Sequence, residues 1–232
     1  MNDLERVLEF IQFNNYCTDK LLTTVNEYKT GEMRNLLPYI PISKCKDFPV
    51  PNFKEIQKEI ESLDDYFIPH RNYGGHKNWS SICLYGLSSV HIAAHEKVGY
   101  DEFNELLHWT DVSYFTPTIV AYIKQLKYKR LSRVRIMKLG KQGFIAPHHD
   151  VPKPSVGGAL NISITNPDKC KFYIEDCGYL PFHKYFAIHP NIGYNHCVYN
   201  ETHENRYHLI VHGDQGREME NWKEEALKGY LE

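Results

Sequence analysis

The sequence predicts a β barrel or sandwich preceded by a mainly helical N-terminal part. Two patterns and one compositional bias lead there. From residue 131 onward, short apolar segments alternate at near-regular intervals with turn residues, as in an all-β barrel or sandwich. Before that point, apolar residues recur every three or four positions, the period of a helix with one buried face. The 17 Tyr and 11 Phe suit a pleated, half-buried surface, where aromatic side chains pack well.

The elements follow in order. Leu4, Val7, Leu8 and Ile11 form one apolar stripe and predict a first helix. Phe53, Ile56, Ile60 and Leu63 predict a second, entered after Pro49 and Pro51, which stop any preceding element. Between about 67 and 100 the chain is rich in Gly, Tyr, His and Ser, including Tyr73-Gly74-Gly75-His76, and weak periodicity predicts loops and short strands. Thr116 and Pro117 make an N-cap and first position for a third helix, with Ile119, Val120, Ile123 and Leu126 on one face. Strands are expected at Leu131 to Leu139, Phe144 to His149, Leu160 to Thr165, Cys170 to Glu175, Tyr185 to His189, His196 to Asn200 and Tyr207 to Val211. Turns at Gly140 to Gly143, Asn166 to Lys169 and Asp176 to Pro181 carry the Gly, Pro, Asn and Asp that reversals need. After Gly213 a charged helical tail follows, anchored by Trp222 and Leu227. The expected organisation is a helical region 1–130 packed on a β core 131–213, with a helical tail 214–232, all in one compact unit.

The formal net charge of −2 and the lack of a long Lys or Arg run argue against a general nucleic-acid surface. Lys127-Tyr128-Lys129-Arg130 is short and reads as a solvated helix end whose cations complement the helix dipole. Met1 to Glu9 has no continuous apolar segment, and no stretch reaches transmembrane length. A cytoplasmic protein with neither nucleic acid nor membrane as partner is expected. The six cysteines contain no C-x-x-C pair and read as free thiols.

The chemistry concentrates around Pro147-His148-His149-Asp150. On an extended backbone His148 and Asp150 point to one face and His149 to the other. His196 opens a later strand and adds a second imidazole; its neighbour Cys197 points the opposite way and cannot easily share a metal with it. Two His and one carboxylate on a β scaffold are the facial triad of non-haem iron(II) oxygenases, which leaves positions open on the metal. Arg206 follows His196 by ten residues and opens the next strand, where its planar fork of donors suits a carboxylate. His208 shares the face of Arg206 and can add a hydrogen bond to the same carboxylate.

Val134 to Leu139, Gly143 to Asp150, Leu160 to Asn166 and Asn195 to Gly213 resemble the aspartyl/asparaginyl β-hydroxylase-like branch of the 2-oxoglutarate oxygenases, which also includes a bacterial proline hydroxylase. The resemblance implies a double-stranded β-helix of the jelly-roll, cupin-like kind. It implies iron(II) held by His148, Asp150 and His196, 2-oxoglutarate anchored by Arg206, and dioxygen as co-substrate for hydroxylation of an unactivated C–H bond. The implied substrate is a small molecule, an amino acid or a peptide side chain. Where many relatives carry Arg-Leu-His, this chain has Ala159-Leu160-Asn161, so one family contact is missing and Asn161 is the candidate to replace part of it. Asp150 is present where some relatives lack the carboxylate, as in the proline-hydroxylating members.

Other readings compete. His149, His183, His189 and His203 lack this joint pattern and read as structural or exposed. Arg206 could instead pair with Glu201 or Glu204 at a strand end, a contact worth about 0 to 1 kcal/mol. Gly74-Gly75 and Gly157-Gly158 are not phosphate loops, since no Lys-Ser or Lys-Thr follows at the required spacing. For the molecule as a whole, the rival is a cupin-like binding or sensing protein without turnover, with a zinc hydrolase behind it.

Overall fold

The computed structural model describes residues 37–71, 75–93, 95–150, 158–175 and 177–231, so the helix expected at Leu4 to Ile11 lies outside them. Their strands are β1 (Tyr39–Ile40), β2 (Ile68–Pro69), β3 (Lys77–Gly86), β4 (His108–Trp109), β5 (Tyr128–His148), β6 (Leu160–Ser163), β7 (Cys170–Ile174), β8 (Gly178–Tyr179), β9 (Ala187–Pro190), β10 (His196–Asn200) and β11 (Arg206–Gln215). Three helices, α1 (Phe53–Glu61), α2 (Pro117–Ile123) and α3 (Arg217–Leu231), accompany them.

One strand builds two sheets. Up to Leu139, β5 lies between β3 and β11; from Phe144 it pairs with β10 instead. The first sheet runs β9-β6-β11-β5-β3 and the second β5-β10-β7-β8, with every pairing antiparallel. The two halves of β5 together with β6 to β11 are the eight strands of a jelly roll, the double-stranded β-helix expected from the resemblance.

Two glycines explain where expectation and structure part. The strands expected at Leu131 to Leu139 and Phe144 to His149 are a single strand, and Gly140 to Gly143 bends it from one sheet into the other instead of ending it. At the bend Gln142 takes φ 52°, and a Cβ on Gly143 would stand 2.8 Å from the Gly140 carbonyl and 2.9 Å from that of Lys77. Gly213 does not end the last strand either. It occupies a bulge, where a side chain would meet the Arg130 carbonyl, and β11 continues to Gln215 before α3 starts.

Residues 37–130 are less helical than expected. Among the described residues there only α1 and α2 are α-helical, and the ten residues of β3 join the sheet beside β5. The β core therefore begins before residue 131. The sequence of β3 hides this because Asn78, Ser80, Ser81 and Gly86 dilute its apolar alternation.

Alternate residues of the first sheet face different neighbours. Tyr207, Leu209 and Val211 of β11, Val134 and Ile136 of β5, and Leu160 and Ile162 of β6 form one core with Ile56 and Ile60 of α1, Ile119 and Ile123 of α2, and Met219 and Trp222 of α3. Trp222 is anchored as expected, with the Phe48 ring 5.4 Å away edge-on. The intervening residues point into the barrel, where Leu139, Ile145, Phe172, Phe182, Ile188 and Val198 form a second core.

The start of α2 is capped from outside. Thr116 stands at its N-cap, but its hydroxyl donates to the Ser113 carbonyl, and the buried Glu59 of α1 accepts from the Thr118 and Ile119 amides at 2.7 and 3.0 Å. Sequence spacing finds the position and not the capping group, which comes from another helix.

Candidate metal and co-substrate site

The strand register places two of the three candidate ligands side by side. His196 at the start of β10 is the direct partner of His148 at the end of β5, with ring centroids 4.4 Å apart. Asp150 lies two residues past β5, held by its amide on the Ile192 carbonyl at 2.9 Å. Its carboxylate oxygens stand 3.8 Å from Nε2 of each histidine, and all three ligand atoms fall within 4.8 Å of one another.

Backbone carbonyls fix the tautomers. Nδ1 of His148 lies 2.8 Å from the Ala146 carbonyl and Nδ1 of His196 lies 3.0 Å from that of Tyr194. A carbonyl only accepts, so each Nδ1 carries the proton and each Nε2 keeps its lone pair facing Asp150. Burial, and then the neighbouring His148, pushes His196 down to about 4, so the ring is neutral and able to ligate at neutral pH. Donors bound cis at about 2.1 Å lie about 3 Å apart, so small side-chain rotations bring this N,N,O set onto one ion.

His149 behaves as expected. It is exposed on the other side of the strand, 3.4 Å from the Asn195 side chain. Cys197 faces away from the site, packed with Phe144, Tyr173 and Tyr199.

Deeper in the barrel, Arg206 is 1% exposed. Its Nε donates to Asn166 Oδ1 at 3.2 Å and its guanidinium lies 4.8 Å from the Phe182 ring centre. Among the described residues it has no carboxylate at ion-pair distance, so the pairing with Glu201 or Glu204 is not formed. His208 lies on the same inner face, buried, with no hydrogen bond to Nδ1, and burial together with Arg206 holds it well below its ordinary pKa. Asn161 on β6 is also inside, its amide donating to the Ala159 carbonyl at 3.2 Å.

The structure adds residues that motif reading missed. Arg71 stands 3.7 Å from Asp150, and His76 accepts the Ala146 amide at 3.0 Å while its ring lies 5.5 Å from that of His148. Both line a groove of about 520 Å³ with Trp79 and Lys138. Their segment carries no periodic pattern, and only the pairing of β3 with β5 brings it here.

No curated protein matches the chain in sequence. Among solved structures it is similar to a 2OG-Fe(II) oxygenase-family oxidoreductase from Burkholderia pseudomallei, at 12% identity over 68% of this chain and 79% of that one, TM-score 0.42. It is similar to a prolyl hydroxylase in complex with a hypoxia inducible factor peptide fragment from Trichoplax adhaerens, at 10% identity over 88% and 96% of the two chains, TM-score 0.42. It is also similar to HygX from Streptomyces hygroscopicus with nickel and 2-oxoglutarate bound, at 8% identity over 76% and 82%, TM-score 0.40. The family model for aspartyl/asparaginyl beta-hydroxylase matches residues 51–215, a span that holds the triad, Arg206 and both sheets, and the chain belongs to that family.

Proposed function

We propose that the protein is an iron(II)- and 2-oxoglutarate-dependent oxygenase that hydroxylates an unactivated C–H bond of a small molecule, an amino acid or a peptide side chain. The observation that carries this is the convergence of His148 Nε2, His196 Nε2 and an Asp150 oxygen within 4.8 Å, both imidazoles locked in the ligating tautomer. A carboxylate in the set suits a hard cation, and the one-sided arrangement leaves room for a bidentate co-substrate.

Bound there, iron(II) with 2-oxoglutarate and dioxygen supplies oxidative decarboxylation and the oxygen atom that enters the substrate. The chain supplies placement. His148 and His196 donate neutral nitrogens, and Asp150 adds a negative charge that partly balances the cation. Arg206, buried among Asn166 and Phe182, gives the distal carboxylate of 2-oxoglutarate a charged fork in a medium where water does not compete. His208, neutral, can donate from Nδ1–H to the same carboxylate. The apolar second core excludes water behind the site.

Succinate release tests the reading. Purified protein with iron(II), 2-oxoglutarate and air should form succinate at a rate that rises with the correct substrate and vanishes with chelator. Tight metal binding with no succinate under any candidate substrate would favour a binding or sensing protein.

A further inference from the structure

Inside the barrel a second guanidinium is buried without an acid. Arg135 of β5 is 7% exposed and points inward, since its neighbours Val134 and Ile136 enter the helix-covered core. Its Nη1 donates to the Ile92 carbonyl at 3.1 Å and lies 3.3 Å from His70 Nε2. Its Nε has no hydrogen-bond partner, and among the described residues no carboxylate stands at ion-pair distance. Trp79 Nε1, Ser163 Oγ and His208 Nδ1 are likewise buried without partners on this inner surface.

The register puts Arg135 across the barrel from the triad. Arg135 lies five positions before Gly140 and His148 five positions after Gly143, so the two side chains stand at similar depth on the two sheets that β5 joins. Arg206, whose strand partner is Leu139, sits nearer the bend and hence deeper. The Asp150 charge reaches Arg135, and Arg135 in turn is felt at His208, which lies between the two guanidiniums. With Arg206 serving the co-substrate, Arg135 is, among the described residues, the buried guanidinium of the inner surface left without an acid.

The neighbours set the charge. His70 accepts from Arg135 through Nε2 and so donates from Nδ1 to Ser81 Oγ at 2.8 Å, and burial followed by the Arg135 charge holds it neutral, pushed down to about 2. Arg133 is occupied by the Ala93 carbonyl and His212. Neither partner neutralises Arg133, so Arg135 stands in cationic surroundings with its own Nε–H free, and such a planar fork without an acid matches a carboxylate.

Resting on the oxygenase reading, we infer that Arg135 anchors a carboxylate of the substrate, so that the enzyme acts on a small carboxylic acid whose target C–H lies beside the metal.

The experiment titrates probes into protein loaded with manganese(II) and 2-oxoglutarate, which holds the site without turnover. The probes are the free L-amino acids, their carboxamides, and a peptide with blocked termini and an Asp or Glu side chain. At least one acid should bind, its carboxamide should bind tenfold or more weaker, and Arg135→Met should lose the same factor with Arg135→Lys intermediate. Manganese and 2-oxoglutarate affinities of both variants should stay within twofold of the parent, which also reports that they fold. Binding confined to the blocked acidic peptide would overturn the assignment of a small acid as substrate, even where it depends on Arg135. The inference is overturned if no acid binds, if acids and amides bind alike, if Arg135→Met binds acids normally, or if it loses 2-oxoglutarate instead. Failure of the parent protein to take up manganese and 2-oxoglutarate would sink the oxygenase reading itself, and this inference with it.

Discussion

A histidine can ligate a metal only through a nitrogen that has lost its proton, and here the main chain decides which nitrogen that is. The Ala146 and Tyr194 carbonyls hold Nδ1–H of His148 and His196, so the lone pairs converge on Asp150 and not on solvent. Replacing either ring by Ala should reduce iron affinity at least a hundredfold and abolish succinate formation, whereas His149→Ala, exposed on the opposite face, should change both by less than twofold. Metal titration of the three variants checks this; equal losses in all three would mean that the ligands are misassigned. Arg206→Lys makes a separable case, because Lys keeps the charge and loses the paired donors. A charge-assisted hydrogen bond contributes about 1.5 to 3 kcal/mol, so 2-oxoglutarate affinity should fall about tenfold or more while iron affinity stays put. An unchanged 2-oxoglutarate titration would take Arg206 out of the site. All of these residues are readable from a His-x-Asp pair, a later His and an Arg ten positions on. The contributions of Arg71, His76 and Arg135 are not, because their partners lie 40 to 80 positions away in sequence and meet them only through sheet register.

At the scale of elements, the legible part is the repeating one. Strands β6, β7, β10 and β11 and helices α1 and α2 fall close to where periodicity and turn residues put them, since their own neighbours in sequence encode their faces. What escapes is long-range: β5 spans two sheets because Gly143 admits two carbonyls, and β3 joins the sheet despite its polar residues. The capping of α2 is of the same kind. Its first amides are served by Glu59, a residue of α1 nearly sixty positions away that is 8% exposed. Glu59→Ala would strand two amides near a helix N-terminus, and loss of such a cap costs about 0.5 to 2 kcal/mol, with more where the amide is buried. Urea unfolding should show a loss of about 2 kcal/mol, with Glu59→Gln losing less because its carbonyl still accepts. A change under about 0.5 kcal/mol for the Ala variant would mean that water replaces the carboxylate and that the contact between α1 and α2 does not depend on it.

The whole molecule couples its interior to pH through buried and half-buried imidazoles. His70, His76, His196 and His208 are all held below the ordinary value of 6.5, chiefly by burial and secondarily by nearby guanidiniums or other imidazoles. The sign follows from proton counting: below pH 6.5 the unfolded chain takes up protons that the folded chain refuses, so stability is full above 6.5 and drains away as pH falls. For His196 and His76 the loss runs from 6.5 down to about 4, and for His70 down to about 2. Each proton refused adds a slope of about 1.4 kcal/mol per pH unit, so even two such groups remove several kcal/mol between pH 6.5 and 5, a large share of the stability of an ordinary domain. Metal-free protein unfolded in urea at pH 7.5, 6.5, 5.5 and 5.0 should lose stability ever more steeply below 6.5. His70→Phe, which fills the space beside Trp79 with a ring that cannot titrate, should flatten that slope by about one proton. Its Arg135 would lose an acceptor, so the variant starts less stable at pH 7.5 and its curve approaches the parent curve at pH 5. Parallel curves for the two proteins would show that His70 titrates like a solvent-exposed ring and that the barrel interior is open to water.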